Sequence, residues 1–227
     1  TDRLFQILRR RSDPESLRET DEVLADLLVY GRNTWSADEL AGNLRYYAQR
    51  MQQRGRLDEA LIAATDAYGI LADAERPDEG RNGLRGDLVE LALHFVLQAD
   101  EPPAFYDSAR SAMEQVLADV PDDPFASLAL GAVLYRQGKV ERAAEVLDPL
   151  PEALSGTPGR DARKVRPVLH AFHAMAHARL GDHDVASEAL DALRAALATT
   201  ETAPQARAIL DEVEDLVDRT APSSEDG

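Results

Sequence analysis

The sequence predicts an all-α fold, a solenoid of stacked helix–turn–helix repeats with terminal capping helices. Three observations support this prediction: glycines recur after apolar segments at regular spacing, small residues recur beside them, and alanine, leucine, arginine and glutamate dominate the composition. Such a composition favours helices, and no alternating apolar run is long enough to indicate a sheet. We therefore expect helical hairpins that each pack against the next.

Glycines mark the turn within each predicted hairpin. Gly138 and Gly181 lie 43 residues apart, and Gly55 lies 83 residues before Gly138, almost twice that distance. A repeat that lacks the glycine is therefore expected between Gly55 and Gly138, where Pro102 and Pro103 separate two apolar segments. In the three repeats that have the glycine, an alanine lies five residues beyond it: Ala60, Ala143 and Ala186. Self-similarity at this period is typical of solenoids.

The repeats predict a single domain over residues 1–220. Clear repeats are expected at about residues 40–74, 84–120, 124–155 and 165–199. Residues 2–11 and 203–219 are expected to form the capping helices, and residues 221–227 a disordered tail. The segment EGRNGLRGD, which begins at Glu79, is expected to be a flexible loop between repeats.

The clearest repeat, residues 127–147, has small and large residues at fixed positions: Leu130, Gly131, Leu134, Ala143 and Leu147. This pattern resembles the tetratricopeptide repeat, and the resemblance covers about residues 40–197. It implies a right-handed α-solenoid in which the two helices of each hairpin cross at small residues, because a larger side chain there would push the helices apart. The crossing residues are Ala48, Gly131 and Ala174. The spacing of 43 residues exceeds the family's usual repeat of about 34, so we expect long loops between hairpins, at residues 73–84 and 156–164.

The resemblance also implies a function, because tetratricopeptide repeats bind an extended peptide or a partner helix on the concave surface that the first helix of each hairpin lines. Carried over to this sequence, that surface is polar in the first clear repeat and largely apolar in the later ones. Its predicted residues are Arg45, Gln49 and Gln52, then Phe125, Leu128, Ala132 and Tyr135, then Val168, Ala171, Met175 and Arg179. Because large apolar patches seldom stay uncovered, we expect either a partner segment or a terminal helix, such as residues 2–11, to cover the apolar part.

Three histidines are the nearest approach to a chemical site. His170, His173 and His177 share one face of a predicted helix, and neutral imidazoles so arranged could bind a metal ion. The repeat pattern places the same positions on a packed face, so we expect hydrogen-bonded structural histidines, with no metal and no cofactor. A metal-binding or enzymatic protein that uses this face stays open as an alternative.

The composition argues against several classes of protein. The formal net charge of −17 opposes binding to nucleic acid, which requires a basic surface. No apolar segment is long enough to suggest a membrane span, so we expect neither nucleic acid nor a membrane as a partner. The absence of cysteine excludes a disulfide framework and a thiolate metal site. The compartment stays open, with the cytoplasm favoured, and the start at Thr1 is expected of a processed or excised chain.

Signatures of catalysis are missing from the sequence. We find no phosphate-binding loop after a predicted strand, no zinc-peptidase signature and no serine in a nucleophile context. We therefore expect a non-catalytic protein–protein interaction module or scaffold that binds a protein or peptide, as a homo-oligomer or as part of a larger chain. A structural array that associates with itself through the apolar groove is the remaining alternative.

Overall fold

Helices account for all the regular structure in the part of the chain that can be described. The computed structural model describes residues 14–74, 78–98, 103–155, 160–198 and 204–220, and none of these is in a strand. The predicted cap at residues 2–11 and the predicted tail at residues 221–227 lie outside this range. In chain order the helices are α1 (Pro14–Gly31), α2 (Ala37–Gln53), α3 (Leu57–Asp73), α4 (Asp78–Val96), α5 (Pro103–Asp119), α6 (Pro124–Arg136), α7 (Val140–Leu147), α8 (Leu150–Ser155), α9 (Arg160–Leu180), α10 (His183–Ala198) and α11 (Pro204–Thr220).

These helices pack against their neighbours along the chain, so the predicted all-α fold of stacked helix–turn–helix repeats is confirmed. Three hairpins are joined by tight turns: α2 with α3, α6 with α7, and α9 with α10. The chain divides into two compact units, Thr1–Leu91 and Ala92–Gly227, and the boundary falls inside α4. The expectation of a single domain over residues 1–220 stays a prediction. Of the helices described, none is both long enough and apolar enough to cross a lipid bilayer.

In the first unit, α1 packs against α2 and α2 packs against α3. A capping box begins α2: the N–H of Glu39 donates to Ser36 Oγ at 3.3 Å, and the N–H of Ser36 donates to Glu39 Oε2 at 2.9 Å. The N–H of Ser36 and its hydroxyl, which both donate to the Glu39 carboxylate, lower the pKa of that carboxyl. Trp35, just before the cap, packs so closely on Gly31 that any side chain at position 31 would collide with the indole.

The three turn glycines have the left-handed backbone that the sequence pattern requires. Their φ angles are 72° at Gly55, 75° at Gly138 and 83° at Gly181. In each turn the residue after the glycine donates its N–H to a carbonyl five residues earlier, as Lys139 does to Leu134 at 3.0 Å. This is the Schellman ending of a helix, and glycine suits it because it adopts positive φ without a steric penalty.

In the second unit, the hairpin of α6 and α7 is held together by contact at a small residue. A Cβ atom at Gly131 of α6 would lie 2.7 Å from Cγ of Leu147 on α7, and Leu147 is fully buried. The alanines at the equivalent predicted positions of the hairpins are buried too: Ala48, Ala60, Ala143, Ala174 and Ala186.

Asp148 and Pro149 separate α7 from α8, and α9 packs against α6, α7, α8, α10 and α11.

The expectation of long loops between hairpins is wrong at both places. The glycine-rich segment at residues 79–87 lies within α4, and α9 begins at Arg160. Three buried leucines recur along one face of α4: Leu84, Leu88 and Leu91. Packing of such a face stabilises a helix that has low intrinsic propensity. A close approach explains one of the glycines, because a Cβ at Gly83 would lie 2.8 Å from Nη1 of Arg45.

Candidate functional site

The residues predicted for the groove in the first unit follow one face of α2. Gln49 is exposed and Gln52 is half-buried. Arg45 is committed to a structural contact, because its Nε donates to Oδ2 of Asp87 on α4 at 2.6 Å. Gln49 and Gln52 thus have at least part of their side chains in solvent, whereas Arg45 links α2 to α4.

The residues predicted for the apolar part of the groove do not form an open surface. Leu128, Tyr135 and Met175 are 0%, 3% and 0% exposed. Ala132 and Ala171 are also fully buried. Phe125 and Val168 are half-buried, and Arg179 is exposed. In the second unit, the apolar face that the sequence predicts as a groove is therefore largely part of the core.

Tyr135 is enclosed by side chains from α9. The ring of Phe172 stands edge-on to it at a centroid distance of 5.7 Å, and the guanidinium of Arg179 lies 4.8 Å from its ring centroid. Burial raises the pKa of the Tyr135 phenol. The positive charge of Arg179 opposes that rise, and the negative charge of Glu212 adds to it. Arg179 is therefore a structural contact of Tyr135 as well as an exposed surface residue.

Arg136, at the end of α6, joins three helices. Its Nε donates to the carbonyl oxygen of Val96 at 2.8 Å, and its two terminal nitrogens donate to the carboxylate of Glu212 on α11 at 2.6 and 2.9 Å. The guanidinium also lies 5.2 Å from the ring centroid of Phe172. Its side chain is only 9% exposed. Arg136 is not among the residues predicted from the sequence, since nothing near it in the chain indicates that its partner is Glu212.

The helix α11 lies against the side of the second unit that contains the predicted apolar face. Residues 2–11, the segment suggested by the sequence, lie outside the described residues. Within them, α11 packs against α9 and α10, and its Glu212 reaches Arg136 beside Tyr135. A helix that the sequence predicts as a cap therefore contributes to closing this side of the second unit.

The three histidines predicted on one helix face do not form a single cluster of side chains. His173 and His177 meet Asp148, which lies between α7 and α8: Nε2 of His173 is 3.1 Å from Oδ1 of Asp148, and Nε2 of His177 is 2.8 Å from the same oxygen. Nδ1 of His177 is 3.3 Å from Oδ2 of Asp182. His170 is half-buried and does not belong to the cluster of potential ligand atoms that Asp148, His173 and His177 form.

Burial and charge shift the pKa values around this cluster. Burial lowers the pKa of His173, although the hydrogen bond to Asp148 opposes the shift. Burial also lowers the pKa of His170, with smaller contributions from His173 and Arg166. Burial alone would raise the pKa of Asp148, but the hydrogen bonds from His177 and His173 outweigh it and the net shift is downward. The folded state therefore favours neutral rings at His170 and His173 and an ionised Asp148.

The two carboxylates that contact these histidines are not among the residues predicted from the sequence. Asp148 could have been noticed because Pro149, directly after it, interrupts a helical segment and turns the chain at that point. Asp182 follows the turn glycine Gly181, a position where a polar residue is common and carries no separate signal. Acidic residues are so frequent in this sequence that only the fold distinguishes these two.

Comparison with known families relates the repeats to a described sequence pattern. Residues 106–158 match the family model of the tetratricopeptide repeat. The matched stretch runs from the first turn of α5 to just beyond α8 and includes the close contact between Gly131 and Leu147. A search of curated proteins found no match.

Proposed function

We propose that this chain, whose residues 106–158 match the family model of the tetratricopeptide repeat, is a non-catalytic module that binds a protein or peptide partner. The family match is the observation that carries the proposal, since such repeats are typically scaffolds for other proteins. In repeats of this kind, the first helices of stacked hairpins can bind an extended segment or a partner helix.

In each unit separately, the proposed binding surface consists of the predicted groove residues that solvent reaches. These are Gln49 and Gln52 on α2 in the first unit, and Phe125, Val168 and Arg179 on α6 and α9 in the second. In the second unit the buried Leu128, Tyr135 and Met175 lie on the same helices as this surface, and in the first unit Arg45 links α2 to α4. A partner segment with basic or polar side chains suits the acidic chain, because opposite charges favour encounter.

Site-specific photo-cross-linking tests the proposed surface. A photoreactive amino acid is introduced singly at Gln49, Phe125 or Arg179, and the products are identified by mass spectrometry after irradiation in cells that contain the natural partners. Matched controls are Ile62 on α3 and Glu188 on α10, exposed positions on second helices. We expect the same partner from the first-helix positions and none from the controls.

Two other results would contradict the proposal. Products from Ile62 and Glu188 but not from Gln49 or Arg179 would place the binding surface on the second helices. A product made of two copies of this chain, together with a mass that doubles in light scattering as concentration rises, would indicate the self-associating array instead.

A further inference from the structure

Three potential metal ligands converge where α7 ends and α8 begins. Asp148 comes from that junction, and His173 and His177 come from adjacent turns of α9. Their ligand atoms all lie within 4.8 Å of one another. The side chains of His173 and His177 are 12% and 10% exposed, whereas that of Asp148 is 53% exposed. The cluster is therefore enclosed on the imidazole side and open to solvent on the carboxylate side.

His177 has a carboxylate at each of its ring nitrogens. Oδ2 of Asp182 lies 3.3 Å from Nδ1, and Oδ1 of Asp148 lies 2.8 Å from Nε2. A neutral imidazole carries one N–H and can donate to only one of these carboxylates. When Nδ1 donates to Asp182, Nε2 can bind a cation instead of donating its proton to Asp148. A cation bound between Nε2 and Oδ1 of Asp148 replaces the hydrogen bond between these two atoms with one attractive contact to each.

His173 presents its Nε2 to the same oxygen of Asp148. The distance is 3.1 Å, and the two imidazole rings stand at 80° to each other with centroids 4.7 Å apart. Two ring nitrogens from one helix and one carboxylate oxygen from a different segment thus face a common point. Two carboxylates, Asp148 and Asp182, supply the negative charge that such a point needs to attract a cation.

The turn after α9 fixes the position of Asp182. Its N–H donates to the carbonyl oxygen of His177 at 2.9 Å, and its carboxylate lies against Nδ1 of the same residue. Histidines that bind metals almost always donate their second N–H to a carboxylate, a carbonyl or water, which holds the ring and raises the basicity of the ligating nitrogen. Asp182 is placed to do this for His177.

We propose that Asp148, His173 and His177 bind a zinc-type divalent cation. Zinc bonds of about 2.0–2.2 Å to nitrogen and oxygen separate the ligand atoms of a tetrahedral site by about 3.3 Å. The two Nε2 atoms lie 3.1 and 2.8 Å from Oδ1 of Asp148, and because the whole cluster spans up to 4.8 Å, the imidazole rings turn towards each other when the ion binds. Imidazole ligands favour such ions over magnesium and calcium, which prefer oxygen ligands. Water fills the fourth position on the exposed side of Asp148. The bound ion joins the α7–α8 junction of one repeat to α9 of the next.

Zinc titration of the full chain tests this site. The protein is freed of any affinity tag and of metal, and zinc binding is followed by isothermal titration calorimetry. Cobalt in place of zinc reports the coordination geometry through the intensity of its visible absorption. We expect one zinc ion per chain and a spectrum typical of four-coordinate cobalt. The variants Asp148→Asn, His173→Gln and His177→Gln should each weaken binding by more than tenfold, and Asp182→Asn by about tenfold to a hundredfold.

The matched control is His170→Gln, one turn earlier on α9 and outside the cluster, which should bind zinc as the parent does. Circular dichroism of the metal-free variants shows whether each is folded, and the exposed Asp148→Asn keeps the test decisive if a histidine variant unfolds. The proposal is overturned if the parent shows no saturable zinc binding near one ion per chain. It is also overturned if Asp148→Asn binds zinc like the parent, or if His170→Gln loses as much affinity as His177→Gln.

Discussion

At the scale of single residues, glycine is required in this protein for two different reasons. Gly138 is needed for its backbone, because its φ of 75° is unfavourable for residues with a Cβ. Gly131 is needed for its lack of a side chain, because α6 and α7 meet there. Neither requirement applies to Gly42 in α2, where an added Cβ would meet no neighbouring side chain of the described residues within 4 Å.

Replacing Gly131 by leucine should destabilise the second unit. The new side chain would compete with the fully buried Leu147, and overpacking of this kind lowers the free energy of unfolding by about 1–3 kcal/mol. Urea denaturation followed by circular dichroism measures the change. The control is Gly42→Leu, which should be neutral or stabilise α2 by up to about 1 kcal/mol through helix propensity. Equal stability of the two variants would refute the close packing of α6 and α7.

At the scale of helices, two carboxylates on α11 should differ in their contribution to stability. Glu212 accepts two hydrogen bonds from the nearly buried Arg136, whereas Glu214 pairs with Arg194, whose side chain is 50% exposed. Glu212→Gln should lower the free energy of unfolding by about 2 kcal/mol, because a charged hydrogen bond is lost at a buried guanidinium. Glu214→Gln should change it by less than about 1 kcal/mol.

Thermal and urea denaturation of both variants measure this difference. The substitutions are chemically identical and lie on the same helix, so helix propensity and net charge change equally. A cost for Glu214→Gln as large as that for Glu212→Gln would mean that Arg136 does not anchor α11.

The histidines of α9 should make the second unit sensitive to acid. Burial lowers the pKa of His170, whereas in the unfolded chain a histidine titrates at about 6.5. As the pH falls through about 6.5 towards the lowered value, the unfolded chain takes up a proton that the folded chain does not, and the free energy of unfolding decreases. In metal-free protein, the stability lost between about pH 7.5 and about pH 5.5 should be smaller in His170→Gln than in the parent.

Hydrogen exchange locates this effect. We expect the backbone amides of residues 168–178 to lose protection from exchange at the lower pH. These residues lie in α9, which carries His170 and packs directly against α11. Equal protection of that segment at both pH values, or an unchanged pH dependence of stability in His170→Gln, would argue against the prediction.

At the scale of the whole molecule, the prediction of a single domain can be tested with the one tryptophan. Trp35 lies in the first unit and Gly131 in the second. Stacked repeats unfold cooperatively when each stabilises its neighbour, so Gly131→Leu should shift the unfolding transition seen by Trp35 fluorescence as well as the one seen by circular dichroism. Coincident transitions in the parent would agree with this. A Trp35 transition that stays unchanged while circular dichroism separates into two steps would show two independent domains.

Much of the architecture could be predicted from the sequence. The hairpin turns at Gly55, Gly138 and Gly181 depend on residues a few positions apart, and the capping box of Ser36 and Glu39 depends on two residues in one turn. Local patterns failed for the glycine-rich segment at residues 79–87, where glycine content indicated a loop and the buried leucines of α4 outweighed it. Propensity is a weak guide wherever tertiary packing supplies most of the stability of a helix.

The candidate sites could be predicted only in part. The sequence placed His173 and His177 on one face and predicted which positions belong to first helices. It could not tell that Leu128, Tyr135 and Met175 are buried, since exposure depends on what packs against a face.

What the sequence determined by itself is the repeat: its period, its glycine turns, its small crossing residues and its helical composition, all of which arise from interactions within a few residues. The tertiary structure alone decided the pairing of Arg136 with Glu212, 76 residues away, and of His177 with Asp148, 29 residues before it. The physical reason is that such contacts are made after the helices have stacked. Many acidic side chains in this sequence are equivalent as charges, and only packing brings one of them within hydrogen-bond distance of a particular arginine or histidine.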